Sequence, residues 1–460
     1  MSQSLILNHR GLITNFNALS KTPEGALTIA ENVVIDKDGV AEPRRGFTRI
    51  ASAPASDAAR FDRLTSYQDK IIGHRSDDNS MQYYNSGWTQ YSGTYEHPDS
   101  DYARMQFMQA KGNLYFTTST GVKVIDSYSG PVYSTGMPRG LDGVGSTTGA
   151  SGFLGHNHQI AYRIVWGSRD ANNNLYLGTP SQRIIVINNT GGTRDVSLTF
   201  TIPSGITTSD FFQVYRSQES ASVSDEPNDE LQLVYEKAPT AGEITAKSVT
   251  FTDSTPYSLM GAYLYTNSSQ EGIAQANDEP PFAKDITLFK GYTFFGNVKT
   301  KHQLNIKLVA VSGTGLALND TITINSMVFT AKNAENIASR EFLLSTGGSA
   351  AQNIADTAQS LVKVINQYSS NTTIYAYYIS GYQDLPGQIL LVKRTLDDTS
   401  FSVSTSNSVA FDVDTGTSSN EEYENGLMWS KLEQPEHVPT ANINYIGSKN
   451  YPIRRILALR

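Results

Sequence analysis

Cysteine is absent from this chain of 460 residues, which excludes disulfide bridges, thiolate nucleophiles and zinc sites built from cysteine. A reducing cytosol is then the simplest compartment for folding. No apolar run approaches the roughly 18 residues that a membrane-spanning helix needs. The run at residues 5–7 (LIL) is too short for the hydrophobic region of a secretory signal. We therefore expect no membrane-spanning segment and no signal peptide.

Basic residues are also scarce. The chain has 36 Lys plus Arg against 44 Asp plus Glu, a formal net charge of −8. A general nucleic-acid binder neutralises phosphates along a basic face, so any contact with DNA is expected to be non-adhesive. The chain is rich in glycine and tyrosine, with 36 Gly and 25 Tyr, which favours a mainly β protein. Its length suggests roughly three units with separate cores.

Residues 104–126 (RMQFMQAKGNLYFTTSTGVKVID) carry the pattern that organises much of the chain. Three short β-prone runs, around Phe107, Tyr115 and Val124, are separated by turns that contain Gly112 and Gly121. This order of strands and turns is typical of one blade of an antiparallel β-propeller.

The same pattern recurs. It is present at residues 63–85, where Leu64 precedes the corresponding Met105 by 41 residues, within the roughly 40 to 50 residues of a blade. A third copy begins at residue 285 (DITLFKGYTFFGNV) and a fourth at residue 454 (RRILALR). No partner strands follow the fourth copy, so we expect strands from elsewhere to pair with residues 453–459. A longer polypeptide is the favoured source, and a second chain is the alternative.

Other segments differ from the blades. Residues 31–47 predict a β-hairpin around Asp38-Gly39, and residues 12–27 an extended tail. The Gly-rich residues 130–155 predict a boundary or a long loop. About seven short strands follow, which favours a fibronectin-like sandwich over an immunoglobulin type, since the Cys pair is missing. Residues 351–367 predict one amphipathic helix after an N-cap near Ser349.

Three clusters could carry chemistry, and each has a plainer interpretation that we favour. Asp170, Asn172 and Asn174 resemble the start of a calcium loop, but Leu175 and Ser181 replace the expected Gly and Glu, which favours a hairpin turn. His156 and His158 could bind a metal ion, but a solvated strand start is favoured. Asp36 and Asp38 with Glu42 could form the carboxylate pair of a hydrolase, but a plain hairpin turn is favoured.

Tyrosines at 375, 377 and 378 could stack bases or sugars, although an interface or core role is favoured. The sequence holds no Gly-x-Ser-x-Gly elbow, no phosphate-binding Gly-Lys-Ser/Thr loop and no His-Glu-x-x-His motif. We accordingly predict no catalytic, cofactor-binding or metal-binding residue.

Five segments in order resemble the tail nozzle, or tail tubular, proteins of short-tailed bacteriophages, and together they extend over nearly the whole chain. They are residues 30–47 (AENVVIDKDGVAEPRRGF), 162–186 (YRIVWGSRDANNNLYLGTPSQRIIV), 264–281 (LYTNSSQEGIAQANDEPP), 353–367 (NIADTAQSLVKVINQ) and 429–460 (WSKLEQPEHVPTANINYIGSKNYPIRRILALR).

The resemblance implies a propeller-type β domain interrupted by insertions. It also implies assembly as a ring, with sixfold symmetry expected, at the distal end of a virion tail, where the ring forms the channel for the genome. The partners expected are other copies of the chain, the adaptor, the tail fibres and DNA that passes without specific binding. The family pattern normally continues beyond the final ILALR, and this sequence departs from it there.

We therefore predict a structural virion protein, assembled in the host cytoplasm, and not an enzyme. The alternatives are a receptor- or polysaccharide-binding tail component and, less favoured, a glycan-cleaving enzyme, for which no carboxylate pair is evident. The predicted divisions are an arm with the first blades (1–150), a fibronectin-like insertion (151–263), a return to a blade (264–302), a small α+β insertion (303–411), and a linker with the start of a further blade (412–460).

Overall fold

The computed structural model describes residues 31–37, 40–44, 46, 61–98, 105–264, 277–381, 384–439, 441–446, 453 and 456–457. The chain divides into two compact units, Met1–Asp57 and Ala58–Arg460. The described part of the first unit holds the predicted hairpin, β1 (Val33–Lys37) paired antiparallel with β2 (Val40–Pro43). The side chains of Asp36, Asp38 and Glu42 lie outside the described residues, as does the predicted tail at 12–27.

The second unit begins with two four-stranded antiparallel meanders, which confirm the strands predicted at 63–85 and 104–126 and add a fourth strand to each. The first sheet consists of β3 (Phe61–Tyr67), β4 (Lys70–Arg75), β5 (Ser80–Tyr84) and β6 (Trp88–Gln90). The second sheet consists of β7 (Phe107–Ala110), β8 (Asn113–Thr118), β9 (Gly121–Ile125) and β10 (Tyr133–Ser134).

Next in the chain come two antiparallel sheets packed face to face. One has three strands, β11 (Gly143–Thr148), β15 (Asp195–Thr201) and β18 (Ser248–Asp253). The other has five, β12 (Gln159–Arg169), β13 (Leu175–Leu177), β14 (Ile184–Ile187), β16 (Phe211–Arg216) and β17 (Gln232–Lys237). Both sheets contribute to one apolar core, in which the rings of Trp166, Phe200 and Phe212 meet. The two sheets thus form a β-sandwich, as predicted for this region, and its fibronectin-like type stays a prediction.

Two elements of the sandwich differ from the prediction. Strand β11 lies in the Gly-rich segment that was expected to be a loop. A Cβ at Gly145 would lie 2.3 Å from Val186 Cγ2 in the facing sheet, so glycine is required here by close packing and does not mark a turn. A short helix, α1 (Ala241–Ala246), was also missed, although Thr240 and Glu243 form a capping box.

The third copy of the blade pattern begins as predicted, with β19 (Phe282–Phe289) paired to β20 (Tyr292–Lys299) across the Lys290-Gly291 turn. A separate α+β module follows. One of its two sheets contains β21 (Gln303–Leu308), β25 (Ile374–Tyr378), β26 (Gln388–Lys393) and β28 (Phe411–Val413). The other contains β22 (Thr321–Ile324), β23 (Met327–Lys332), β24 (Glu341–Leu343) and β27 (Val403–Thr405).

The predicted amphipathic helix lies in this module as α2 (Ala350–Gln367), and Ser349 is its N-cap, since its side chain accepts from the Gln352 N–H. The apolar face of α2 enters the module core through Ala358, Leu361, Val362 and Ile365, all fully buried. Both the helix and its cap are therefore confirmed.

After the module the chain returns to the third sheet. Strand β29 (Glu422–Trp429) pairs with β20, and β30 (Ile443–Tyr445) pairs with β29. Residues 412–425 were expected to be a linker and Trp429 to begin a further blade. The structure differs at both places. Residues 412–413 belong to β28 and residues 422–425 to β29, so the connection is limited to 414–421. Trp429 ends a strand of the sheet begun by β19 and does not begin a new sheet.

The three meander sheets are stacked. Leu114 and Phe116 of β8 pack with Ile72 and Met81 of the first sheet, whereas Tyr115, between them, packs with residues of the third sheet. Because successive strand residues point to opposite faces, β8 is buried at every position. The mainly β class is confirmed. Each sheet in the described residues is an open array, so closure into a propeller stays a prediction.

Candidate functional site

The Asp170 turn is a hairpin turn, as favoured, and it joins β12 to β13. The carboxylate of Asp170 accepts from the backbone N–H groups of Asn172 and Asn174 at 2.9 and 2.8 Å. An Asp side chain that binds the backbone N–H two residues on is the usual Asx turn. The hairpin interpretation is confirmed.

His156 and His158, which were considered as a metal pair, have separate hydrogen-bond partners. The Nδ1 atom of His156 lies 2.8 Å from the Thr190 carbonyl oxygen, and that of His158 lies 2.8 Å from Glu219 Oε2. Across the residues that the structure describes, no group of three or more His, Asp or Glu side chains is arranged to hold a metal ion.

The tyrosines considered for stacking are in an interface. Tyr375 and Tyr377 are buried and pack with Leu141, which precedes the sandwich. The guanidinium of Arg394 lies 4.2 Å from the Tyr375 ring centroid, and that of Arg139 lies 5.0 Å from that of Tyr377. The interface interpretation is confirmed, and these two rings are not available for a ligand.

The most developed polar site in the described structure was not predicted. It lies where the second sheet, the sandwich and the third sheet meet, and we name it the three-sheet joint. Its members are polar side chains from four segments of the chain: Asn113 and Tyr115 of β8, Asp170 and Asn172 of the β12–β13 turn, Tyr176 of β13, and Glu436 and His437 of the loop between β29 and β30.

One half of the joint holds the sandwich against the second sheet. Asn172 Nδ2 donates to the Gly112 carbonyl, the Asn113 Oδ1 and the Asp126 carbonyl at 3.1, 2.7 and 2.9 Å. Asn113 Nδ2 in return donates to Asp170 Oδ2 at 2.7 Å. Burial alone would raise the pKa of Asp170, but hydrogen bonds from Asn174 and Asn113 outweigh it and lower that pKa.

The other half of the joint is centred on Glu436, a residue that is only 4% exposed. Tyr115 OH donates to Glu436 Oε1 at 3.0 Å, and the Gly136 N–H donates to Oε2 at 2.6 Å. Both donors are neutral groups. Burial, helped by the negative charge of nearby Asp170, raises the pKa of Glu436 to about 7 against these hydrogen bonds.

His437 fixes the same loop to β13. The Leu177 N–H donates to His437 Nε2 at 3.1 Å, so Nδ1 carries the proton and faces Gln434 Oε1 at 2.7 Å. Burial lowers the pKa of His437 to about 4. The imidazole therefore serves as a neutral acceptor over the physiological range.

Two further contacts hold the modules together. Thr179 Oγ1 donates to Asp278 Oδ1 at 2.7 Å, close to the three-sheet joint. At the base of the α+β module, Asn366 Nδ2 donates to Asp142 Oδ1 at 2.7 Å, and Gln367 Nε2 donates to Thr201 Oγ1 at 2.9 Å. The end of α2 is thereby fixed to the sandwich.

Little in the sequence could have indicated the joint. Glu436 and Tyr115 are 321 positions apart, and neither lies in a motif of known spacing. The weak signal is Glu436-His437 between Pro435 and Pro439, because two titratable residues in a proline-bounded loop are unusual in a plain connection.

The described residues contain no helix that is long and apolar enough to cross a membrane. No family model, curated protein or solved structure matches the chain. The resemblance to tail nozzle proteins accordingly stays a prediction.

Proposed function

We propose that the chain is a structural virion protein that forms part of a tail nozzle through which phage DNA is ejected into the host. The observation that carries the proposal is the stack of three four-stranded meanders, each following the same strand order, with two modules inserted between their strands and fixed by buried polar contacts. A rigid scaffold with docked insertions is what a channel-forming ring requires.

In this proposal the three meanders are blades of a propeller-type domain, and the two face-to-face sheets are its fibronectin-like insertion. The stacking supports this, because the second sheet is covered on both faces by neighbouring sheets, as a blade within a propeller is. The first strand of each meander, β3, β7 or β19, would then lie nearest the axis.

The charge pattern supports passage of DNA without adhesion. Strands β3 and β19 carry Asp62 with Arg63 and Lys284 with Asp285, and β7 carries no charged residue. These first strands are thus formally neutral, in a chain whose net charge is −8. A neutral or acidic surface does not hold a duplex through counterion release.

The inserted modules would make the contacts to other copies in the ring, which we propose is sixfold, and to the adaptor and tail fibres. The glycan-binding alternative is less favoured, because the rings of Tyr375 and Tyr377 are buried in an interface and cannot stack on a sugar.

Antibodies against the purified chain test the proposal on phage particles. We expect gold label at the distal end of the tail, and ring-shaped particles when the purified protein is imaged by negative-stain electron microscopy. Label on the capsid or on fibres, or capture of purified host envelope glycans by the isolated protein, would refute the nozzle assignment.

A further inference from the structure

The hydroxyl groups of the three-sheet joint form a line between two carboxylates. Glu436 Oε1 lies 3.0 Å from Tyr115 OH, Tyr115 OH lies 3.4 Å from Tyr176 OH, and Tyr176 OH lies 3.0 Å from Asp170 Oδ2. This line crosses from the loop of the third sheet, through the second sheet, to the sandwich.

The number of protons determines whether the line is complete. Each tyrosine hydroxyl has one proton to donate. When both carboxylates are ionised, Tyr115 donates to Glu436 and Tyr176 donates to Asp170, so no hydroxyl proton is left for the contact between the two tyrosine oxygens. When Glu436 is protonated, it can donate to Tyr115, Tyr115 to Tyr176, and Tyr176 to Asp170. Every contact in the line then has its own proton.

Burial and the negative charge of Asp170 favour the neutral form of Glu436. Hydrogen bonds from the Gly136 N–H, Tyr115 of β8 and Tyr176 of β13 favour the ionised form and only partly offset them. His437 beside Glu436 is neutral because burial lowers its pKa to about 4. Asn113 Nδ2 donates to Asp170 and to Tyr176 OH, which keeps Asp170 in the ionised, accepting form.

We propose that the three-sheet joint is a proton-operated latch, which holds the second sheet, the third sheet and the sandwich together while Glu436 is neutral and loosens when Glu436 ionises. This inference does not depend on the proposed function, because it concerns contacts within one chain.

The direction of the pH response follows from linkage. The pKa of Glu436 is raised from its ordinary value of 4.5 to about 7 in the closed joint. The closed joint therefore binds the proton more tightly than the open one, and closure is favoured at acidic pH. That preference is lost as the pH rises from the ordinary pKa through the raised one.

Amide hydrogen exchange of the whole chain tests the latch at about pH 5.5 and about pH 8.5, on either side of the raised pKa. After correction for the intrinsic exchange rates, we expect opening at residues 136–140 and 175–181 to be roughly thirtyfold greater at the higher pH. Peptides from β22, whose Ile322 and Ile324 are fully buried in the core of the α+β module, serve as the internal reference and should not respond.

The deciding variant is Glu436→Gln. Its amide can accept from the Gly136 N–H and donate to Tyr115 OH, as neutral Glu436 would. The pH response of the joint peptides should therefore fall to the smaller part contributed by Asp278, whose carboxyl accepts from Thr179. The matched control is Glu335→Gln, since Glu335 accepts from Ser360 and Lys363 away from the joint, and it should retain the wild-type pH response.

Two results would overturn the latch. One is wild-type protein whose joint peptides open equally at both pH values, a result that needs no variant. The other is a Glu436→Gln protein that shows the same pH response as the wild type.

Discussion

Lys299 and Glu422 lie directly opposite each other on the paired strands β20 and β29, although the whole α+β module lies between them in the chain. The Thr300 N–H donates to the Glu421 carbonyl at 2.9 Å, and the Gln303 N–H donates to the Ser419 carbonyl at 2.8 Å. The module therefore occupies the position of a hairpin turn, and its two ends leave the third sheet side by side.

This geometry predicts that the module can be removed. Replacing residues 301–420 by Asn-Gly should join Thr300 to Glu421 through a two-residue hairpin turn and leave the three meander sheets and the sandwich folded. Circular dichroism and thermal unfolding of the purified deletion protein provide the measurement, and a single cooperative transition is the expected result.

The deletion uncovers Leu141 and Asp142, which contact the module in the intact chain. We therefore expect a lower melting temperature than in the wild type, but soluble, folded protein. Insoluble protein, or a sandwich without a cooperative transition, would mean that the module is not separable. A control that inserts Asn-Gly at the exposed Gly191 should have little effect.

Local sequence signals predicted the elements whose contacts are local. The turns at Lys111-Gly112 and Lys290-Gly291 and the apolar face of α2 depend on neighbours a few positions away, and all three were predicted. Strand β11 was missed because its glycines are required by close packing against Val186 and Leu198 in other strands, and they do not mark turns. The pairing of β29 with β20 and the joint at Glu436 depend on contacts between residues far apart in the chain. The sequence offers little for them beyond the proline-bounded Glu436-His437 pair.

The close approach of the sandwich sheets predicts a cost for one methyl group. Gly145→Ala would place its Cβ 2.3 Å from Val186 Cγ2 and 3.0 Å from Leu198 Cδ2. Overpacking of this kind destabilises by about 1 to 3 kcal/mol, which urea unfolding measures. The control Gly191→Ala, with no atom within 4 Å of the new Cβ, should be nearly neutral.

A second substitution separates overpacking from other causes. Adding Val186→Ala to Gly145→Ala removes the Cγ2 atom that clashes, so the double variant should lose less stability than the two single effects predict together. Strict additivity would show that the Gly145 position does not act through Val186.

The buried ion pair in the sandwich predicts a larger effect. Arg216 Nη1 donates to Asp253 Oδ2 at 2.7 Å with both side chains fully buried, and Tyr162 OH donates to the same oxygen at 2.8 Å. Arg216→Met leaves the carboxylate without its cation, which typically costs about 3 to 5 kcal/mol. Urea unfolding should show this loss.

The double variant Arg216→Met with Asp253→Asn removes the charge that the single variant leaves behind. It should recover a large part of the lost stability, because the unpaired buried charge accounts for most of the cost. No recovery would indicate instead that the packing of Arg216 against the rings of Phe153 and Tyr257 is the main contribution.

Asp278 predicts a pH-dependent effect outside the hydroxyl line of the three-sheet joint. Burial raises its pKa from 3.8 to about 6, against a hydrogen bond from Thr179. The folded state therefore binds this proton more tightly than the unfolded state, so the contribution of Asp278 is most favourable below the unfolded pKa and is lost as the pH rises through about 6.

Asp278→Asn keeps an oxygen acceptor for Thr179 and carries no charge. At about pH 8 the variant should be more stable than the wild type by at most about 2 kcal/mol, since the group is partly exposed. The difference should shrink as the pH falls and be smallest below pH 3.8. Urea unfolding of both proteins at each pH gives the difference directly, and contributions from other titrating groups cancel. The matched control for the Asp to Asn change itself is Asp69→Asn, in an exposed turn with a positive φ that Asn also adopts. An Asp278→Asn protein that is equally stable relative to the wild type at every pH would show that this carboxyl does not resist ionisation in the folded state.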